Sequence, residues 1–357
     1  MRCYGEKPAS FNRLQPSGAI PVAIIDGATY NQSNDIIFAL ESQFPDHKAL
    51  LPRNDNIQMA KAQELLKLER TLFSAWMYWL TSRDSPRGEL RSNFISVLSE
   101  VERELSNANG PFFLGDEISL VDMMFVPFLE RIVASMLYFK GFEIRVAPGE
   151  KTNYPAINRW FDAMETLESY QLTKSDYYTH CWDLPPQLGG CISEVGSEEF
   201  QDAINGKTPG SWHYPLIAHE GEPDWTFCGA GAKREAVERV SANHQAIVKF
   251  ACRGAGSAGF PRYGAELSDP NAVSNQSVQP FVDASLKIIL TKLLDGEDCD
   301  EAMNNLVTVL KKEDGLDEQV AMSLVYLRDR VGVPRDMRLP AARQFRASLN
   351  WAIDKCV

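Results

Sequence analysis

The chain has 357 residues and a formal net charge of −12; 44% of its residues are hydrophobic and 24% are charged. This length predicts two or three domains, and the composition is typical of a globular protein. The acidic excess argues against nucleic acid or an anionic membrane surface as a partner. No apolar run is long enough to cross a bilayer and no signal peptide is recognisable, so we expect a soluble chain.

The cysteines indicate a reducing compartment. They are odd in number and scattered, and no CxxC pair or Cys/His group has the spacing of a zinc site. Free thiols and no bound metal are therefore expected. The seven cysteines are Cys3, Cys181, Cys191, Cys228, Cys252, Cys299 and Cys356.

The first predicted elements form a strand, a tight turn, a second strand and a helix. The apolar run at 22–25 is typical of a short buried strand. Asp26 and Gly27 are a preferred pair for a two-residue hairpin turn, so residues 28–30 return as the second strand. The helix then covers 35–41, with apolar side chains on one face.

Two features of this unit each have more than one interpretation. Pro21 stands at the start of the first strand, where a missing N–H is tolerated, and composition alone favours an ordinary trans proline there. A cis bond would instead expose the backbone N–H and C=O of Ile20 to a ligand. The helix that follows is predicted to be capped by Asn31 or Ser33.

Residues 56–81 predict one long helix, because apolar side chains recur every three or four positions. A second helix covers 90–105 and ends near 109–111, where Asn, Gly and Pro terminate it. The first of these helices carries an aromatic stripe, which is more typical of a core than of a ligand contact. The stripe consists of Phe73, Trp76, Tyr78 and Trp79.

A further helix start is marked by Ser119 and Asp122, whose spacing is that of a capping box. In such a box each side chain can satisfy a backbone N–H at the helix start, so both residues are predicted to act in folding rather than in chemistry. Residues 154–170 predict the next helix, and its Trp160 and Phe161 are expected in the core.

Two groups of motifs, in this order, resemble the cytosolic-type glutathione S-transferase family. The first group is similar to the second half of its thioredoxin-like domain, and Ser119-x-x-Asp122 is similar to a motif of its all-helical domain. The resemblance covers about residues 1–185. The first group is made of Lys7-Pro8, Pro16-Ser17-Gly18, Ile20-Pro21-Val22, Asp26-Gly27 and Gln32-Ser33-Asn34-Asp35-Ile36.

The resemblance implies a binding site for glutathione as co-substrate. The Ile20–Pro21 bond would be cis, and Ile20 would pair, backbone to backbone, with the cysteinyl part of the tripeptide. Gln32 and Ser33 would bind its γ-glutamyl end, and Lys7 its glycyl carboxylate. A helix N-terminus and a cation suit an anionic tripeptide. The alternatives are that Ser33 is only a helix cap and Lys7 only a solvated lysine.

The resemblance also implies where the co-substrate and the catalytic group would lie. In the family, a small hydrophobic or electrophilic substrate lies between the thioredoxin-like domain and the first and third helices of the helical domain, which here favours the 70–80 stretch. The catalytic Tyr, Ser or Cys belongs to a first β-α pair, whereas this sequence starts at what corresponds to the end of the second strand. Because Cys3 aligns with the wrong element, the catalytic residue is unknown. We expect a fragment or a start at an internal Met.

The second half of the chain lies outside the resemblance. Its Gly- and Pro-rich beginning predicts a connector, and periodic apolar residues then predict helices near 232–252, 278–295, 299–312, 316–331 and 338–355. The expected fold class is α+β to mostly α: a partial thioredoxin-like ββα unit, a helical bundle similar to the family's C-terminal domain, and an additional all-α domain. The expected division is 1–46 for the truncated thioredoxin-like domain, 54–185 for the first all-α domain, 186–230 for the connector and 231–357 for the helical C-terminal domain.

Two features of this second half leave alternatives open. The Gly-rich turn at 228–231 precedes a helix, where phosphate could bind, but no strand precedes it and no dinucleotide or P-loop spacing is met. A locally basic end is either a contact surface for an acidic partner or a solvated helix face, which is the commoner case. Its residues are Arg335, Arg338, Arg343 and Arg346.

The sequence supports two functions. The first is a glutathione transferase or glutathione-dependent thiol reductase, incomplete without a missing N-terminal β-α segment and compatible with a homodimer. The second is a non-catalytic binding or scaffold protein that keeps the fold. We expect a cytoplasmic location, or a plastid one if a targeting segment precedes the sequence.

Overall fold

The computed structural model describes residues 7–44, 47, 49–52, 55–146, 149–207, 231–260, 271–295 and 298–357. The predictions for Cys3 and Cys228, and those for 208–230 of the connector, fall outside these ranges. The described part is mainly helical and has a two-stranded sheet, which confirms the predicted fold class.

The N-terminal unit, residues 7–44, is a β-hairpin between two helices. Strand β1 (Ala23–Ile25) pairs antiparallel with β2 (Ala28–Tyr30). Asp26 and Gly27 between them have φ values of 50° and 81°, the left-handed conformation that a type I′ turn requires. Helix α1 (Ala9–Leu14) precedes the hairpin and α2 (Ser33–Gln43) follows it. The predicted strand–turn–strand–helix order is confirmed.

The first helical bundle surrounds one apolar core. Its side chains come from every helix between α3 and α9, including Tyr170 on α7 and Ile204 on α9. The helices are α3 (Asn56–Thr81), α4 (Glu89–Asn107), α5 (Leu120–Lys140), α6 (Pro155–Glu165), α7 (Glu168–Thr173), α8 (Tyr177–Leu188) and α9 (Glu198–Ile204).

Helix α3 has the bounds that its apolar periodicity predicts. Its N-cap Asp55 accepts hydrogen bonds from two first-turn N–H groups at 2.9 and 3.0 Å. Trp76 and Trp79 lie in the core, whereas Tyr78 is 65% exposed. The aromatic stripe therefore spans two faces of the helix, and one face packs inward.

Asp122 accepts four hydrogen bonds at the start of α5. Its Oδ2 accepts from the Ser119 N–H at 2.9 Å and from the Ser119 hydroxyl at 2.7 Å. Its Oδ1 accepts from the Phe113 N–H at 3.1 Å and from the Trp160 indole N–H at 2.9 Å. Ser119 and Asp122 thus form a capping box. The same buried carboxylate also joins α5 to α6 and to the preceding turn.

The second helical bundle surrounds a second apolar core. Helix α15 reaches both cores, because Ala347 belongs to the first core while Phe345 and Leu349 belong to the second. The bundle contains α10 (Ala232–Ala242), α11 (His244–Ala251), α12 (Gln279–Asp295), α13 (Asp300–Leu310), α14 (Leu316–Arg328) and α15 (Leu339–Cys356).

Several local predictions differ from the structure. Helix α2 is preceded by Gln32 as N-cap and has no side-chain cap, so the prediction that Asn31 or Ser33 caps it is wrong. The predicted helix 232–252 is interrupted at Asn243, which separates α10 from α11. Helix α9 lies inside the stretch predicted as a connector and packs on the first core.

The basic end of the chain is divided, because Arg335 and Arg338 are exposed, as the solvated interpretation expects, whereas the other two arginines are not. Arg343 and Arg346 are buried. Arg338 pairs with Glu235 at 2.7 Å. The sequence pattern shows the charges of this segment but not the acidic and apolar groups that other elements bring to them.

Candidate functional site

Ile20 and Ser33 lie at the same end of the β-hairpin. The register pairs Ala23 with Tyr30 at this end of the ladder. The Ile20–Pro21 peptide bond is cis. The side chain of Ile20 is 62% exposed. Ile20 precedes β1 by three residues and Ser33 follows β2 by three, so both positions lie at the end of the hairpin away from its turn.

The start of α2 is open to solvent. Ser33 is its first helical residue and Gln32 is the N-cap, with no side-chain cap. Residues 31–35 are exposed, so the N–H groups of the first turn and the positive end of the helix dipole face water. Asp35 lies in the same turn and stabilises it. An anionic group of a ligand would find N–H donors here.

Lys7 lies beside the turn that precedes the hairpin. Its Cδ is 3.9 Å from the position that a Cβ on Gly18 would occupy. Its ammonium nitrogen is 5.4 Å from the centroid of the Phe11 ring. The described neighbours of this side chain are thus Gly18, which lies two residues before Ile20, and Phe11 on α1. Neither of them belongs to the start of α2.

A mainly apolar cavity of about 370 Å³ lies beside the start of α2, and Asn34, the residue after Ser33, lines it. It lies between α2, the middle of α3 and the first turns of α5, which is where the resemblance implies a co-substrate. Of the predicted 70–80 stretch, Arg70 lines the cavity, whereas Trp76 and Trp79 lie in the core. The lining residues are Asn34, Ile37, Phe38, Leu66, Lys67, Glu69, Arg70, Leu120 and Met124.

Two of the three charged residues at the cavity wall, Glu69 and Arg70, are paired with each other, and Lys67 is the third. Glu69 is only 2% exposed, and its carboxylate accepts hydrogen bonds from Arg70 Nε at 2.5 Å and from an Arg70 terminal nitrogen. The hydrogen bond from Glu69 raises the pKa of Arg70 despite partial burial. The guanidinium carbon lies 4.9 Å from the Phe73 ring centroid and 4.8 Å from that of Phe128. With this pair neutralised, the cavity suits an apolar molecule.

Sequence reasoning missed most of the cavity. The apolar face of α2 was a signal for Ile37, because an amphipathic helix must pack that face on something. Leu66 and Met124 gave no comparable signal, since each belongs to a helix whose other apolar residues fill the core. Glu69 could not be recognised as a buried residue, because α3 contains many other charged residues that are typical of an exposed face.

The described cysteines with a shifted pKa are not activated nucleophiles. Burial raises the pKa of the Cys191 thiol to about 12 and those of Cys252 and Cys356 to about 11. Burial likewise raises the pKa of the Tyr138 hydroxyl to about 12 and that of Tyr154 above its ordinary value. At neutral pH these groups stay protonated.

The described residues offer neither a metal site nor a membrane-spanning helix. No group of three or more His, Cys, Asp or Glu side chains there has an arrangement that could hold a metal ion. No helix in the described ranges is both long enough and apolar enough to cross a membrane.

A family model described as "Glutathione S-transferase, C-terminal domain" matches residues 67–163. The match begins inside α3 and ends inside α6, so it falls on the first helical bundle. The N-terminal unit and the second bundle lie outside it.

Known plant proteins are similar to about half of the chain. Glutathione S-transferase DHAR2 of Arabidopsis thaliana is 25% identical over 170 residues, which are 48% of this chain and 72% of that protein. Protein IN2-1 of Zea mays is 30% identical over 173 residues, 48% of this chain and 66% of that protein. The chain thus spans 66% to 72% of the length of these relatives. Among solved structures, glutathione transferase Omega 3C from Trametes versicolor aligns with a TM-score of 0.38 and 23% identity, over 46% of this chain and 71% of that one.

Proposed function

Because the chain belongs to the glutathione S-transferase family, we propose that it binds glutathione where the β-hairpin meets the start of α2. One observation carries the proposal. Ile20 and Ser33 lie at the same exposed end of the hairpin, and an apolar cavity begins at the next residue, Asn34. A thiol peptide at this position would have its sulfur close to an apolar cavity.

Each proposed contact has a physical basis in the chain. The backbone of Ile20 offers one N–H and one C=O, the groups that pair with an extended peptide. Gln32 and Ser33 offer polar side chains, and the first turn of α2 offers N–H donors for the γ-glutamyl carboxylate. Lys7 is the proposed cation for the glycyl carboxylate, which requires its ammonium to leave the Phe11 ring.

The cavity is the proposed place for a second, small substrate. Its lining favours an apolar electrophile. In the proposed transfer, the thiolate sulfur of glutathione forms a bond to the electrophilic carbon, the leaving group departs with its electron pair, and the thiol proton goes to solvent. Reduction of a mixed disulfide is the related reaction, in which the thiolate attacks sulfur instead. A homodimer is compatible with either reaction.

A non-catalytic binding protein is the second candidate function. It is favoured by the raised pKa values of the Cys191, Cys252 and Cys356 thiols, because a thiol that stays protonated at neutral pH is a poor nucleophile. In that case the hairpin and the cavity bind glutathione or an apolar molecule without turnover.

Calorimetric titration of the full chain with glutathione tests the proposed site. Ser33→Ala should weaken binding by about tenfold, because one hydrogen bond to a charged group is lost. Ser106→Ala is the matched control, since Ser106 is an exposed serine on α4, a helix that does not line the cavity. Equal affinity for wild type and Ser33→Ala, or no binding by wild type, would contradict the site.

A conjugation assay separates the two functions. The full chain is incubated with glutathione and an activated aryl halide, and release of halide is followed. Turnover that falls in Ser33→Ala supports the transferase. Binding in the calorimeter without turnover supports the binding protein.

A further inference from the structure

A buried ion pair joins the two helical bundles. Asp176 is the N-cap of α8 in the first bundle, and Arg346 lies on α15 of the second. A terminal nitrogen of Arg346 donates to Asp176 Oδ2 at 2.5 Å across 170 residues of sequence. Asp176 is 0% exposed and Arg346 is 1% exposed. A pair this deep is shielded from salt and water, so its loss should be felt on both sides of the contact.

Thr179 closes a hydrogen-bond network around this pair. Its hydroxyl donates to Asp176 Oδ1 at 2.5 Å and accepts from Arg346 at 3.0 Å and from the Val333 N–H at 3.1 Å. Arg346 also donates to the Val331 carbonyl. The loop between α14 and α15 is thereby tied to the first turn of α8.

Three further contacts lie at the start of α8. The Tyr178 hydroxyl donates to Asp329 at 2.7 Å, and the Arg346 guanidinium carbon lies 4.3 Å from the centroid of the Tyr178 ring. The Ser175 hydroxyl donates to the Val333 carbonyl at 2.5 Å. The contacts thus join the cap and first turn of α8, residues 175–179, to the 329–346 segment.

The electrostatics make the two sides depend on each other. Burial would by itself raise the pKa of Asp176, but Arg346, Thr179 and Arg343 outweigh it and hold that pKa below its ordinary value. If the second bundle moves away, the buried carboxylate of Asp176 loses its counter-ion. If α8 unfolds, the buried guanidinium of Arg346 loses its counter-ion in turn.

We infer that residues 231–357 act as an intramolecular clasp on α8, so that the two helical bundles unfold as one cooperative unit. The clasp assigns a role to a part of the chain that lies outside the family match. Separate unfolding of the two bundles is the alternative, and it is the default for domains that a linker joins.

Hydrogen exchange of the full chain, followed by mass spectrometry at increasing urea, tests the clasp. In wild type, the slowest amides of α3 and of α14 should show the same opening free energy and the same urea dependence. Different values for the two helices in wild type would overturn the clasp without any variant being needed.

Arg346→Met sharpens the test. It should lower the melting temperature by roughly 10 °C, because a buried carboxylate is left unpaired, and should reduce protection of α3 and α14 together. Arg338→Met is the matched control: Arg338 pairs with Glu235 near the start of the same helix but is 63% exposed, so a shift below about 2 °C is expected. Loss of protection in α14 alone, or equal shifts for the two variants, would overturn the clasp.

Discussion

The N-terminal unit and the first helical bundle differ in what holds them together. No residue of α1, β1, β2 or α2 is fully buried, whereas α5 has buried residues from its first turn to its last. The unit that carries the proposed glutathione contacts thus has no core of its own. Its α2 faces α3 and α5 across the cavity.

This difference places the proposed chemistry on the less stable part of the molecule. Binding segments are commonly drawn from the low-stability end of a fold and are positioned by a rigid scaffold. Here the scaffold is the first bundle, and the cavity lies between it and the N-terminal unit. Changes in the bundle should therefore act on the whole chain, while changes in the N-terminal unit should act locally.

The largest effect is expected for Asp122→Ala. The substitution removes all four hydrogen bonds and leaves the N–H groups of Phe113 and Trp160 buried without an acceptor. We expect the free energy of unfolding to fall by about 3–5 kcal/mol, measured by urea titration. The exposed Asp116→Ala is the control and should change it by less than about 0.5 kcal/mol. If the hairpin stayed folded after the bundle had unfolded, the claim that the N-terminal unit has no core of its own would be contradicted.

A smaller effect is expected from pH. The folded-state pKa of Asp176 is lowered, so its contribution to stability is present above the unfolded value of about 3.9 and is lost as pH falls through the folded value. In Arg346→Met, burial without the counter-ion should raise that pKa. The difference in unfolding free energy between wild type and variant should therefore narrow by about 1–3 kcal/mol between pH 7 and pH 4. A constant difference across this range would mean that Asp176 does not carry the charge of the pair.

Phe38→Ala should act on the N-terminal unit alone. Phe38 lines the cavity, so its loss should reduce protection of α2 against hydrogen exchange by about 1–2 kcal/mol and leave α5 unchanged. Phe44, the exposed residue after α2, does not line the cavity, and Phe44→Ala is the matched control. Equal losses in α2 and α5 would show that the unit and the bundle are not separable.

The smallest effect is expected for Gly27→Ala. Nothing lies within 4 Å of the added Cβ, so the penalty is the strain of φ at +81°, about 1 kcal/mol. The hairpin should loosen and glutathione binding should weaken by about fivefold in calorimetry, with an unchanged melting temperature. Asp26→Asn keeps a residue type that tolerates this turn and should leave binding unchanged.

Local patterns were sufficient for the elements that local chemistry decides. Asp26-Gly27 predicts the turn, and the apolar repeat of α3 predicts both of its ends. Ser119 with Asp122 predicts the start of α5. In each case the residues that fix the structure lie within a few positions of one another.

Long-range pairing could not be predicted in the same way. Arg346 sits in a run of basic residues that is typical of a solvated helix, yet its partner Asp176 lies 170 residues earlier. The cavity is likewise assembled from α2, α3 and α5, and no single segment shows which of its apolar residues will face it. Burial of these groups is a property of the assembled fold rather than of any window of sequence.

The distance in sequence between Asp176 and Arg346 has a consequence for biosynthesis. At a translation rate of 5–20 residues per second, roughly 10–30 seconds separate the two residues on the ribosome. During that interval the first turn of α8 carries a carboxylate that the finished protein seals from water. The nascent first bundle should therefore stay loosely closed on this face, and accessible to chaperones, until α15 has been made.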